Sequence, residues 1–255
     1  MENTIIYEQP LNERIRNFLR LEHLFQQAFY TLRGYSVWDS RATLSSLIDI
    51  LDILSRSDLK TELLKELERH QIALAKLKDI PGVDKEQLES ILSQLNSALN
   101  ELHNIQGQLG QHLREHELLA SLRQRSTVAG GSCHFDLPAY HYWLQQPPEE
   151  RISILENWFE ELNPVNRPIT LMLGIIREST HLQDMIAEKG FYQQTLDNNS
   201  PVQLIRVALS QNSPYFAEIS GGKHRFSVRF MRQQDDDRPI QSQDDIQFKL
   251  GCCHI

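Results

Sequence analysis

Residues 186–196 read I-A-E-K-G-F-Y-Q-Q-T-L, and the chain changes character across them. Up to Glu188, apolar residues recur at three- and four-residue spacings, the period of a helix. From Gly190 onward they alternate, between turn signals rich in Gly, Pro, Asn and Asp. A further β-like run, T-I-I-Y, precedes Pro10. The switch predicts an α+β fold, with a multi-helix domain over 9–188 and a smaller antiparallel β-sheet domain over 189–255. The strand from 1–8 is expected to join the latter in one sheet.

Working back from the switch, apolar stripes predict helices from Leu11, over Arg41–Leu54 and over Leu59–Lys76, the last stopped by Pro81-Gly82. The next helix has Asp84 as N-cap and Gln87 as its capping-box partner. Leu88, Leu95, Leu102 and Leu109 then repeat every seven residues, with Leu92 and Leu99 between them. This seam of about three heptads suits either packing within the chain or a dimer interface. Shorter helices are expected at 115–124, 138–144, 148–162 and 167–178, with Asp136 placed to cap the one that Pro138 opens. Working forward, five strands are expected: G-F-Y-Q-Q-T-L, V-Q-L-I-R-V-A-L-S, Y-F-A-E-I, H-R-F-S-V-R-F-M and I-Q-F-K-L-G-C.

Composition narrows the function. The chain has 255 residues, enough to bury a core without disulfides, and its three cysteines (Cys133, Cys252 and the adjacent Cys253) make a poor disulfide framework. No apolar run approaches the ~20 residues of a membrane span, and the N-terminus has neither basic nor long apolar signal regions. A cytoplasmic protein with no membrane partner is therefore expected. Net charge −8 argues against nucleic acid as a general partner.

Enzyme signatures are absent. Gly221-Gly222-Lys223 fails as a phosphate loop, because Ala217 stands at the first glycine and His224 at the Ser/Thr position. It reads better as the turn of a β-hairpin. Cys133-His134 and Cys252-Cys253-His254 lack the C-x₂₋₄-C spacing by which two thiolates converge on one metal ion. No H-E-x-x-H or G-x-S-x-G occurs. Neither a catalytic residue, a metal nor a cofactor is expected.

The segment 220–232, S-G-G-K-H-R-F-S-V-R-F-M-R, is the exception to an acidic chain. Strand alternation places Phe226, Val228 and Phe230 on one face and Lys223, Arg225, Ser227 and Arg229 on the other. Arg225 and Arg229 are then roughly 13.6 Å apart at their Cα atoms, close enough to line one surface groove. Either nearby acids, such as Asp235–Asp237, neutralise the row, or an anionic ligand or acidic peptide docks on it. An enzyme or carrier for a small anion, and a nucleic-acid binder, are the competing uses of such a row.

Several runs, G-G-S-C-H-F-D-L-P, I-S-G-G-K-H-R-F-S-V-R-F-M, Y-E-Q-P-L-N-E-R-I-R and T-E-L-L-K-E-L among them, give the chain a resemblance that extends nearly end to end. It resembles the ZapD family of bacterial cell-division proteins. Departures from the family's pattern concentrate at 33–43, 197–201, 233–245 and the last two residues. The resemblance implies a non-enzymatic homodimer that binds the C-terminal tail of the tubulin-like protein FtsZ, crosslinks its filaments into bundles and stabilises the mid-cell division ring. It also implies a positively charged tail pocket, carried here by Arg225 and Arg229 with Lys223 beside them. His141 and the L-R-Q-R arginines, Arg123 and Arg125, are further candidates for its wall.

Overall fold

A computed structural model describes residues 4–55, 58–197, 201–234 and 237–254. The chain divides into two compact units, one of Phe18–Met172 and one of Met1–Asn17 with Leu173–Ile255. Among the described residues the helices are α1 (Glu13–Leu32), α2 (Val37–Leu54), α3 (Leu59–Ala75), α4 (Lys85–Asn104), α5 (Gln111–Glu115), α6 (Glu117–Arg125), α7 (Pro138–Leu144), α8 (Pro148–Glu161) and α9 (Asn163–Glu178). The strands are β1 (Thr4–Pro10), β2 (Gln183–Ala187), β3 (Phe191–Thr195), β4 (Leu204–Ser210), β5 (Tyr215–Gly221), β6 (Arg225–Arg232), β7 (Ile240–Gln241) and β8 (Ile246–Cys253). An α+β fold of helices and antiparallel sheet results.

In the helical unit, α2 begins four residues earlier than its apolar stripe predicts. The reason is a capping box: the Ser36 hydroxyl accepts from the Asp39 amide, and the Asp39 carboxylate accepts from the Ser36 amide at 3.0 Å. The Ser36 hydroxyl and amide hold the Asp39 carboxyl below its ordinary range. Arg151 of α8 is 2% exposed and reinforces this start, donating to Ser40 Oγ at 3.1 Å and to the Tyr35 carbonyl at 2.9 Å.

The leucine seam has a definite partner. α3 packs on α4, and Leu88, Leu92, Leu95, Leu99 and Leu102 are all buried within the chain, as are Leu59, Leu63 and Leu67 of α3. Burial of both stripes within one chain matches the first of the two readings of this seam, packing within the chain. Leu109 is also buried but lies beyond the end of α4. At the other end Asp84 accepts from the Gln87 amide at 3.0 Å, as expected of an N-cap. Asp136 does not cap α7; the N-cap is Leu137, without a side-chain bond, while Asp136 faces Arg125 at 3.8 Å.

In the β unit the strands form two antiparallel four-stranded sheets instead of the single expected one. One has the order β1-β4-β8-β2; the other has β3-β6-β5, with β7 also pairing with β6. β2 falls within residues whose spacing predicted the helical domain. β1 pairs with β4 from Thr4↔Ser210 to Pro10↔Leu204. The stretch at 186–196 is itself the passage from the first sheet to the second. Glu188 and Phe191 form a bridge around a two-residue loop in which Lys189 (φ 50°) and Gly190 (φ 66°) are both left-handed. Two positive φ values in succession make the primed turn whose twist matches a hairpin.

Period-2 alternation then builds the core. Phe226, Val228 and Phe230 of β6 are at most 1% exposed and meet Ile205, Val207 and Leu209 of β4 and Phe248 and Leu250 of β8 in one apolar cluster. The rings of Phe230 and Phe248 lie 4.9 Å apart, a favourable aromatic separation. β4 is buried on its other face too, where Arg206 sits. There Glu8 of β1 receives Arg177 at 2.8 and 2.9 Å and Arg206 at 3.0 Å, and Arg206 also donates to the Arg177 carbonyl at 3.2 Å. One carboxylate thus ties the end of α9 to the first two strands of the sheet.

Candidate functional site: the outer face of strand β6

Burying the Phe226–Phe230 face turns Arg225, Ser227 and Arg229 outward, and both arginines are exposed. The register supplies their neighbours. Arg229 lies between Phe191 of β3 and Glu218 of β5; Ser227 lies between Gln193 and Ser220; Arg225 is opposite Thr195. Directly opposed residues in antiparallel strands share a face. The outer surface of the second sheet is therefore a platform with Arg225 and Arg229 along its central strand and Phe191 exposed beside Arg229.

Lys223 enters this platform differently from its expected place in the strand. β5 ends at Gly221 and β6 starts at Arg225, so Gly222, Lys223 and His224 form the hairpin loop. The Gly222 amide donates to the Arg225 carbonyl at 3.0 Å and closes it. Gly221 is required by crowding: a Cβ there would come within 2.8 Å of Leu11 and 2.9 Å of Phe226. Gln193, Ser220, Lys223, Arg225 and Ser227 line a surface concavity of about 450 Å³ beside the loop.

The charge balance follows from the register. Arg229 Nη2 meets Glu218 Oε2 at 3.5 Å, with the side chains 52% and 45% exposed. Among the described residues neither Lys223 nor Arg225 has a carboxylate within 4.0 Å. Asp235 and Asp236, expected as possible neutralisers, lie outside the described residues. Among the described residues these three cations meet one carboxylate, and their donors suit further carboxylate ligands.

The remaining sequence candidates belong to the helical unit. Arg123, at the end of α6, donates to Asp52 of α2, which neutralises it locally. Arg125 holds Asp136 only loosely, at 3.8 Å, and is 47% exposed. His141 lies on α7 with its ring 5.6 Å from that of His134. Glu218, Gln193 and Ser220 were not nominated from sequence. Nothing local marks them, because their place depends on cross-strand register.

Other chemistries find little footing. Among the described residues no three His, Cys, Asp or Glu side chains gather as a metal ion requires. Burial raises the thiols of both Cys252 and Cys253, the latter to about 11, which makes them poor nucleophiles. Among the described residues no helix is long and apolar enough to cross a membrane.

Known proteins resemble this chain over almost its whole length. The family described as "ZapD: Cell division protein" matches residues 19–229. The cell division protein ZapD of Methylococcus capsulatus is 44% identical over 253 residues, covering 99% of both chains. That of Coxiella burnetii is 40% identical over 254 residues, covering 99% of this chain and 98% of its own. The ZapD of Escherichia coli O1:K1 is 37% identical over 253 residues, covering 99% of this chain and all of its own. With a family match over most of its length and relatives of this similarity aligned end to end, the chain belongs to the ZapD family of cell division proteins.

Proposed function

We propose that this protein binds the acidic C-terminal tail of FtsZ on the outer face of β6 and, as a homodimer, crosslinks FtsZ filaments into bundles that stabilise the division ring. The observation that carries the reading is the row Lys223, Arg225 and Arg229. Arg225 and Arg229 are exposed on one sheet face and Lys223 in the adjoining hairpin loop, and only Arg229 of the three has a carboxylate partner among the described residues. Carboxylates of a tail pair with the two arginines, while its apolar residues pack on the exposed ring of Phe191 beside Arg229.

Bundling needs two such sites on one particle. A dimer supplies them, and filaments that repeat their tails convert two weak contacts into one strong one by effective concentration. No chemical step is required, so the protein acts as a binding factor and not an enzyme, in the cytoplasm at mid-cell. Sedimentation of polymerised FtsZ with this protein tests the reading. Full-length filaments pellet as bundles, whereas filaments lacking the tail do not. Equal bundling of both refutes tail recognition, and Arg225→Glu with unchanged bundling refutes the assignment of the face.

A further inference from the structure

A second basic concavity lies wholly within the helical unit. It has a volume of about 360 Å³, within the range of small ligand pockets. Leu44, Ile48, Leu122 and Val128 supply apolar lining, and Arg41 and Arg125 its charge. The Arg41 guanidinium carbon sits 5.4 Å from the ring centre of Trp38 and 5.0 Å from that of Tyr140. Two cation–π contacts hold the planar group between rings. One of its nitrogens donates to Ser132 Oγ at 3.3 Å.

The walls are fixed before any ligand arrives. Tyr140 is 3% exposed, so one ring against Arg41 is anchored in the core. The start of α2, which carries Trp38 and then Arg41, is set by the Ser36–Asp39 capping box and by buried Arg151. A preorganised site spends less binding free energy on ordering side chains. Trp38 nevertheless remains 76% exposed, a large aromatic surface against the Arg41 that lines the pocket. Aromatic and arginine side chains together are the usual anchors of protein interfaces.

We infer that this pocket is a second docking site for acidic peptide, taking an apolar side chain onto its Leu44–Ile48–Leu122–Val128 lining and adjacent carboxylates onto Arg41 and Arg125. The apolar lining favours a peptide over a sugar–phosphate chain. Asp136, at 3.8 Å from Arg125, is an exchangeable partner that a ligand carboxylate replaces. For the identity of the peptide the inference rests on the proposed reading, so the FtsZ tail is the probe; it does not depend on the β6 row.

Trp38 reports on this pocket through its contact with Arg41, and its signal stands apart because the other tryptophans, Trp143 and Trp158, are only 9% and 7% exposed. The experiment measures acrylamide quenching of tryptophan fluorescence with and without FtsZ tail peptide, beside anisotropy of the labelled peptide. The peptide is expected to lower the quenching constant about twofold or more, and Trp38→Phe to remove that effect. Arg41→Ala is expected to weaken peptide protection roughly 5- to 10-fold in concentration. Val128→Glu, at a position 49% exposed and therefore tolerant of charge, is expected to abolish protection without unfolding the chain. Protection that persists in Arg225→Glu/Arg229→Glu supports a separate site. Peptide binding by anisotropy with Trp38 still fully quenchable overturns the inference and leaves the proposed function standing. Absence of both signals overturns both.

Discussion

Glu218→Gln is expected to tighten binding of the FtsZ tail by acting on Arg229 alone. Glu218 is the internal competitor for that guanidinium, 3.5 Å away across the strand pair. Two unit charges at this distance attract by about 1.2 kcal/mol in bulk water. Both side chains are about half exposed, and pairs of this kind measure about 0.2–1 kcal/mol once ordering and salt are included. A tail carboxylate that takes Arg229 must first displace Glu218, so this amount is subtracted from its affinity. Removing the charge returns it, a gain of about 1.4- to 5-fold in Kd. Glutamine keeps the length and the cross-strand position beside Arg229. Anisotropy of a labelled tail peptide at low and at moderate salt is the assay, because the gain must shrink as the Debye length shortens. Repeating the substitution in an Arg229→Ala background closes a double-mutant cycle, where most of the gain should vanish. Weaker binding by Glu218→Gln, or an equal gain without Arg229, refutes the claim that Glu218 competes for this arginine.

Three further outcomes follow from the β unit. Gly190→Ala forces a side chain onto φ 66° and within 2.8 Å of Ser242, so urea denaturation should register a loss of about 1–3 kcal/mol. An unchanged midpoint would show that the turn between the sheets relaxes freely. Glu8→Gln deprives Arg177 and Arg206 of their shared carboxylate, at a cost of about 2–4 kcal/mol readable in the same titration; a loss below 1 kcal/mol, on the order of a surface pair, would contradict its clamping role. Burial raises Cys253 from the ordinary thiol value of 9.0 to about 11. Its folded form therefore holds the proton where the unfolded chain releases it, so its contribution is complete below pH 9 and is lost as pH rises through 11. Cys253→Ala should flatten that alkaline fall in stability, and an equally steep fall in the variant would assign it to other groups.

Sequence carried much of this protein because its strongest signals are periodic and local. Seven-residue leucine spacing marked α4, strand alternation separated Phe226, Val228 and Phe230 from Arg225 and Arg229, and Pro138 and Pro148 marked helix starts. The helix beginning at Val37 was legible too, in Ser36 and Asp39, but its apolar stripe starts later and drew the boundary to Arg41. Lys223 was placed in a strand because alternation extends backward without limit, whereas the real strand starts where its hydrogen-bonded pairing with β5 resumes.

What the sequence determined by itself is the α+β class, the two faces of β6 and membership of the family, since periodicity and residue identity are properties of the chain. Tertiary structure alone decided the rest. It split the strands into two sheets through the Lys189-Gly190 turn, and it buried the leucine seam of α4 against α3 instead of leaving it for a partner. It gave Arg229 a counter-ion in Glu218, eleven positions away, left Arg225 without one among the described residues, and set Arg41 between Trp38 and Tyr140. The physical reason is common to all of these. Register and packing join residues whose separation in the chain no local pattern encodes, and the net charge of a site is the sum over such neighbours.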